Sequence, residues 1–235
     1  MTTKDSTSNL RSEMRTWKTY SGKYLTGVCS LLSYSKKTLV LLHGVGSNEN
    51  DLIDLGEKIF PQESIVSLRA PLNITSNSFA WFQVRFTEKG PIHNGVEALE
   101  SLMLLENELN DLAQKNSISR NDMYILGFSQ GAIMTVGLAL SEHLELGGYI
   151  AISGRTLPEF ATLESIVHKT KTHRSILLAH GTKDEKLPLH HAKLSRNILE
   201  KVTDNLIYLE FPYGHGIPES LIAEIKKFIQ PVLKQ

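Results

Sequence analysis

The chain has 235 residues, 41% hydrophobic and 21% charged, a size and composition that suit one α/β domain with a large core. Its 25 basic and 25 acidic side chains cancel, which argues against a nucleic-acid partner or an acidic membrane surface. The single Cys29 excludes an internal disulfide framework, and no apolar run approaches the roughly twenty residues of a membrane span.

Residues 1–20 are polar and predict a flexible N-terminal segment, with residues 21–235 as a single domain. The segment lacks the apolar stretch of a signal peptide, so the expected compartment is the cytoplasm, without stable membrane insertion. Tyr24 to Leu32 reads as an early, edge-type strand. Thr38-Leu39-Val40-Leu41-Leu42 is a continuous apolar run, the mark of a strand covered on both faces. Leu52 to Phe60 reads as a helix stopped by Pro61, and Ser64 to Leu68 as another buried strand. Leu72 to Gly90 carries Trp81 and Phe82 without a clear period and is expected to be a long functional loop.

From Val96 to Lys115, leucines and Met103 recur at helical spacing. Tyr124 to Phe128 reads as a strand, Gly127-Phe128-Ser129-Gln130-Gly131 as a tight turn, and the apolar run after it as a helix. Further strands are predicted at Gly148–Ile152, Arg174–Ala179 and Leu206–Phe211, and helices at His190–Val202 and Ile217–Val232. This alternation implies βαβ units, hence a mostly parallel central sheet with helices on both faces.

In an open parallel sheet, functional groups gather beyond the carboxyl ends of the strands. Four such ends carry glycine-punctuated polar turns, at His43 to Gly46, Phe128 to Gln130, Gly181 to Asp184 and Tyr213 to Gly216. A serine hydroxyl needs a base to take its proton, and a histidine base needs a carboxylate to fix its tautomer. Ser129 occupies a Gly-x-Ser-x-Gly turn between strand and helix, which places it as the nucleophile. Of nine histidines, His215 follows the last strand and lies after the candidate acid, in the chain order Ser, Asp, His. His143, His168, His173, His190 and His191 read as surface or helix-end residues, and His180 lies too near the acid to serve as base. Asp184 is the favoured acid, with Glu185 as the alternative. Two N–H donors for a tetrahedral oxyanion are expected from Val45 and Gln130. His43 and Gly44 of the first motif are further candidates for substrate contact. No His, Asp or Glu cluster has ligand spacing, so neither a metal nor a cofactor is expected.

Taken together, Leu41-Leu42-His43-Gly44-Val45-Gly46, Arg69-Ala70-Pro71 followed by Trp81-Phe82, Gly127-Phe128-Ser129-Gln130-Gly131, Ser153-Gly154, His180-Gly181-Thr182-Lys183-Asp184 and Gly214-His215 resemble the phospholipase/carboxylesterase family, which includes the acyl-protein thioesterases. The resemblance runs from about residue 20 to the end and implies an α/β-hydrolase fold. It implies the same trio, Ser129, Asp184 and His215, and the same donors, Val45 and Gln130. It also implies that Trp81 and Phe82 help form an acyl pocket, although a core anchor is an equal reading of those two side chains. Ser47 and Gln83 stand where acyl-protein thioesterases usually carry aspartate. The expectation is therefore a serine esterase acting on a small-molecule ester or acylated substrate, of short to medium chain. A thioesterase or lysophospholipase of long acyl chains is the alternative, and a non-catalytic ligand-binding hydrolase fold a third. Arg155 reads either as a partner for a substrate carboxylate or as a solvated surface residue. Cys29 reads as a small buried hydrophobe.

Overall fold

The computed structural model describes residues 16–87, 90–141, 143–162 and 171–230. His168 and residues 231 and 232, at the end of the last predicted helix, lie outside the described residues, as do residues 1–15. Eight strands form one sheet: β1 (Lys18–Ser21), β2 (Thr26–Ser30), β3 (Thr38–Leu42), β4 (Ser64–Leu68), β9 (Met123–Phe128), β10 (Gly148–Ile152), β11 (Ile176–Gly181) and β12 (Leu206–Phe211). Their order across the sheet is β1-β2-β4-β3-β9-β10-β11-β12. β2 runs antiparallel to both neighbours, and every pairing from β4 to β12 is parallel.

Every residue of β3, β4 and β10 is buried, which explains why these segments read as unbroken apolar runs. Alternate residues feed opposite faces. Leu39, Leu41, Ile65, Leu126 and Ile150 pack with α1 (Ile53–Ile59) and the C-terminal helix Glu219–Ile229. Val40, Leu42, Val66, Ile125 and Tyr149 meet α2 (Gly95–Lys115) and α3 (Gln130–Leu140) on the other face. The helix α4 (His190–Leu199) precedes β12, and the C-terminal helix is α5. Every residue of α3 is buried, so it has no polar face to show.

Two expectations are corrected. The segment 72–90 is not a structureless loop. β5 (Leu72–Thr75) pairs with β6 (Ser78–Ala80), and β7 (Val84–Thr87) with β8 (Gly90–His93), as two antiparallel hairpins. Asn73, Ile74 and Thr75 of β5 are all exposed, so no buried face imposes the alternation that reveals a strand. The second correction concerns the N-terminal boundary. Lys18 to Tyr20, placed in the flexible segment, belong to β1, which takes the sheet edge expected for β2. Tyr20 turns inward and donates its hydroxyl to Glu108 of α2. The backbone N–H groups of Tyr24 and Leu25 donate to the other oxygen of that carboxylate, at 2.7 and 2.9 Å. Glu108 has no exposed surface, and these three donors satisfy its charge. A lone tyrosine in a polar stretch carries no sequence signal of a partner 88 positions away.

Candidate active site

Ser129 stands between the end of β9 and the start of α3 with φ 55° and ψ −114°, a left-handed conformation that costs a non-glycine residue energy. The fold enforces it through the flanking glycines. A Cβ on Gly127 would lie 2.2 Å from the carbonyl oxygen of Gly131, and one on Gly131 would lie 2.0 Å from that of Leu42. Only bare backbone lets α3 start this close to β9 and β3, and the hydroxyl is thereby lifted above the sheet.

His215 arrives from the turn after β12. Thr182 and Lys183 donate to the carbonyls of Phe211 and Tyr213 at 2.8 and 2.9 Å, which ties that turn to the end of β11. A Cβ on Gly181 would lie 2.4 Å from the Tyr213 oxygen, so this approach also requires glycine. His215 Nε2 is 2.9 Å from Ser129 Oγ, and its Nδ1 is 2.7 Å from Asp184 Oδ2. The Asp184 carboxylate is fully enclosed. Its Oδ1 accepts from the backbone N–H groups of Lys186 and Leu187 at 3.0 and 2.9 Å. Hydroxyl, imidazole and carboxylate thus form one line, with the carboxylate aimed by its own loop. Such a line can move a proton from the hydroxyl to Nε2 while Asp184 stabilises the imidazolium. Glu185, the alternative acid, is exposed beside this loop.

Beside Ser129 opens a cavity of about 550 Å³ whose lining includes Gly44, Val45, Phe82, Phe128, Gln130 and Ile133. Gln130 is the first residue of α3, where an N–H has no partner within the helix. The turn carrying Val45 is pinned by bonds from Gly46 N to Phe79 O at 2.9 Å and from Phe79 N to Ser47 O at 2.8 Å. His43 and Trp81 do not line the cavity. His43 Nδ1 donates to the Gly44 oxygen at 2.7 Å, and its Nε2 accepts from Ala70 N at 3.1 Å. Burial pushes its pKa down, in keeping with this neutral form. Trp81, fully buried, donates Nε1 to the His43 carbonyl at 2.9 Å. Both stand behind the wall and brace the turn that carries Val45.

Two contributions escaped the sequence reading. The side chain of Gln130 bridges the hairpins: Oε1 accepts from Trp81 N at 2.8 Å, and Nε2 donates to Phe82 O at 2.7 Å. His180 lies inside β11, fully buried, with Nε2 2.7 Å from the Leu187 carbonyl and 3.4 Å from Asp184 Oδ2. Neither role has a local signal, because the partners of Gln130 lie nearly fifty positions away and that of His180 depends on how the loop folds back. Among the described residues, no group of three or more His, Cys, Asp or Glu could hold a metal ion, and no helix is long and apolar enough to cross a membrane.

The sequence matches the family model for phospholipases and carboxylesterases over residues 28–233. The chain belongs to the phospholipase/carboxylesterase family. Acyl-protein thioesterase 1 of Eremothecium gossypii is 29% identical over 83% of this chain and 88% of its own. Esterase YpfH of Escherichia coli is 30% identical over 70% of this chain and 69% of its own. The crystal structure of esterase PE8 superimposes with a TM-score of 0.73 at 26% identity, covering 87% of this chain and 97% of that one. As a member of the phospholipase/carboxylesterase family, the protein is a hydrolase with the α/β-hydrolase fold expected from the sequence. The family match spans all of the elements that carry the site, from β3 onward.

Proposed function

We propose that the protein hydrolyses carboxylic esters of short to medium chain through an acyl-enzyme on Ser129, with no cofactor. The observation that carries the reading is the continuous line from Ser129 Oγ to His215 Nε2 at 2.9 Å and from His215 Nδ1 to Asp184 Oδ2 at 2.7 Å. His215 takes the hydroxyl proton as Oγ bonds to the ester carbonyl carbon. The carbonyl oxygen becomes an oxyanion held by the N–H groups of Val45 and Gln130, each donor lowering the barrier by about 3 kcal/mol. Collapse breaks the bond to the alcohol, which leaves with the proton from His215. Water, deprotonated by the same imidazole, then attacks the acyl-enzyme, and the acid departs as Oγ regains a proton. Phe82 and Gly44 line the substrate cavity, while His43 and Trp81 hold its wall from behind.

A second reading, a thioesterase of long acyl chains, is favoured by the similarity to acyl-protein thioesterase 1. Hydrolysis of 4-nitrophenyl esters from acetate to palmitate separates the two. The proposed function predicts a maximum at short or medium chains and a loss of kcat of at least about a thousandfold in Ser129→Ala. A maximum at palmitate would favour the thioesterase reading. Undiminished turnover in Ser129→Ala would refute the mechanism for either substrate class.

A further inference from the structure

The cavity beside Ser129 is walled mainly by apolar side chains, among them Phe82, Val84, Phe128, Ile133 and Leu187. Arg155 interrupts that wall. It follows Ser153, a fully buried non-glycine residue at φ 54°, and Gly154, where a Cβ would lie 2.6 Å from that of Ala132 on α3. Strain and close packing thus fix the segment that delivers the guanidinium to the cavity. The head group is aimed by a relay: Nη2 is 3.4 Å from His93 Nδ1, and His93 Nε2 is 3.0 Å from Glu159 Oε2. His93 in its Nε2–H form donates to Glu159 and accepts from Arg155. Nε has no hydrogen-bond partner, and among the described residues no carboxylate lies within 4.0 Å of the guanidinium. Two other charged residues line the cavity, Asp51 and Lys186; both are exposed and of opposite sign. Arg155 is half-buried, and the charge that answers it, Glu159, acts across His93 and does not touch the guanidinium.

A half-buried arginine without a carboxylate in direct contact is costly, and burial lowers its pKa although the nearby charge of Glu159 opposes the shift. It remains a cation at neutral pH. A neutral aliphatic ester offers it nothing in return, whereas a carboxylate would make charge-assisted bonds to its fork of N–H groups.

We propose that the substrate is an ester bearing a second, ionised carboxylate, and that Arg155 binds this group while Ser129 attacks the ester carbonyl. The inference rests on the reading of Ser129 as nucleophile and adds to it the class of substrate. The dicarboxylate monoester lies along the cavity with its free carboxylate on Arg155 and its ester at the Oγ. Hydrolysis then releases an alcohol and a dicarboxylic acid, or a simple acid and a hydroxy acid, according to which side of the ester carries the charge.

The test compares monoethyl adipate with ethyl hexanoate, which share a six-carbon acyl chain and differ in its charged terminus. In the wild type the charged ester should have the higher kcat/KM, by about ten- to hundredfold. The ratio should fall close to one in Arg155→Gln and lie between in Arg155→Lys, with thermal unfolding serving as the measure of folded enzyme. Calorimetric titration of adipate into Ser129→Ala should give binding that disappears in the Ser129→Ala/Arg155→Gln double variant. Turnover of ethyl hexanoate with no preference for the charged ester, or a preference that survives in Arg155→Gln, would overturn the inference and leave the esterase reading standing. Turnover of neither ester would count against the esterase reading instead. Adipate binding that depends on Arg155 would then still support the anion site, and its absence would refute it.

Discussion

Asp184 is bonded to more than its histidine. Its second oxygen is held by the N–H groups of Lys186 and Leu187, and the loop they belong to is held in turn by His180, through the Leu187 carbonyl at 2.7 Å. We therefore propose that His180 is a positioning residue for the proposed acid, Asp184. Replacing it with leucine keeps the volume roughly constant but leaves the Leu187 carbonyl unpaired in the core. A misplacement of the carboxylate approaching 1 Å would lower kcat by about a hundredfold. KM should move little, because His180 does not line the cavity. Steady-state kinetics on a 4-nitrophenyl ester decide the matter, and an unchanged kcat would deny His180 this role. Gln130→Ala probes a different link. It removes the clamp on Trp81 and Phe82 but keeps the backbone N–H, so the hairpin wall loosens while the N–H proposed as an oxyanion donor stays. KM should rise more than kcat falls, and the reverse pattern would place the side chain in the chemistry.

Among the elements, legibility followed burial. Strands β3, β4 and β10 are enclosed on both faces and declare themselves as apolar runs. The turns that carry Ser129, Asp184 and His215 are visible because tight turns and close backbone approach demand glycine, as at Gly127, Gly131 and Gly181. The hairpins of residues 72–93 have no such mark, since a strand such as β5 buries no consistent face. Arg155 read more readily as a solvated surface residue, because its placement depends on the packing of Gly154 against α3 and on His93, 62 positions distant. The N-terminal strand was hidden for a similar reason, its anchor being the buried carboxylate of Glu108 on α2. Glu108→Ala would strand the Tyr20 hydroxyl and the two N–H groups of Tyr24 and Leu25. The expected cost is about 3 kcal/mol. For a chain of this length that corresponds to a melting temperature lower by roughly 6–12 °C. Differential scanning calorimetry measures it, and a shift below about 2 °C would mean that β1 contributes little to the cooperative fold.

At the scale of the whole molecule, the buried His43 and the half-buried His191 make stability fall towards acid pH. Burial, with the nearby charges of His190, Arg155 and His180, pushes His191 from 6.5 down to about 4. Burial also lowers His43. Both are neutral in the fold and take up a proton more readily when unfolded, so falling pH favours the unfolded chain. The His191 contribution is complete above pH 6.5 and is lost as pH falls from 6.5 towards 4, and His43 acts in the same direction. Glu49, held below its ordinary 4.5 by the Arg69 guanidinium, adds its own loss only at lower pH. Thermal unfolding should therefore be nearly flat from pH 7 to 8 and decline through pH 6 and 5. His191→Gln should make that decline shallower, and an identical decline in the variant would remove His191 from the account.

Everything proposed for the molecule's chemistry depends on Ser129 becoming acylated, and a fluorophosphonate probe reads that directly. Wild-type enzyme treated with the probe should gain the mass of one phosphonyl group by intact mass spectrometry, with the adduct mapping to Ser129 after digestion. Ser129→Ala should gain nothing, and His215→Ala should label far more slowly while remaining folded. An adduct on another residue, or an enzyme that hydrolyses esters while Ser129 stays unmodified, would contradict the account.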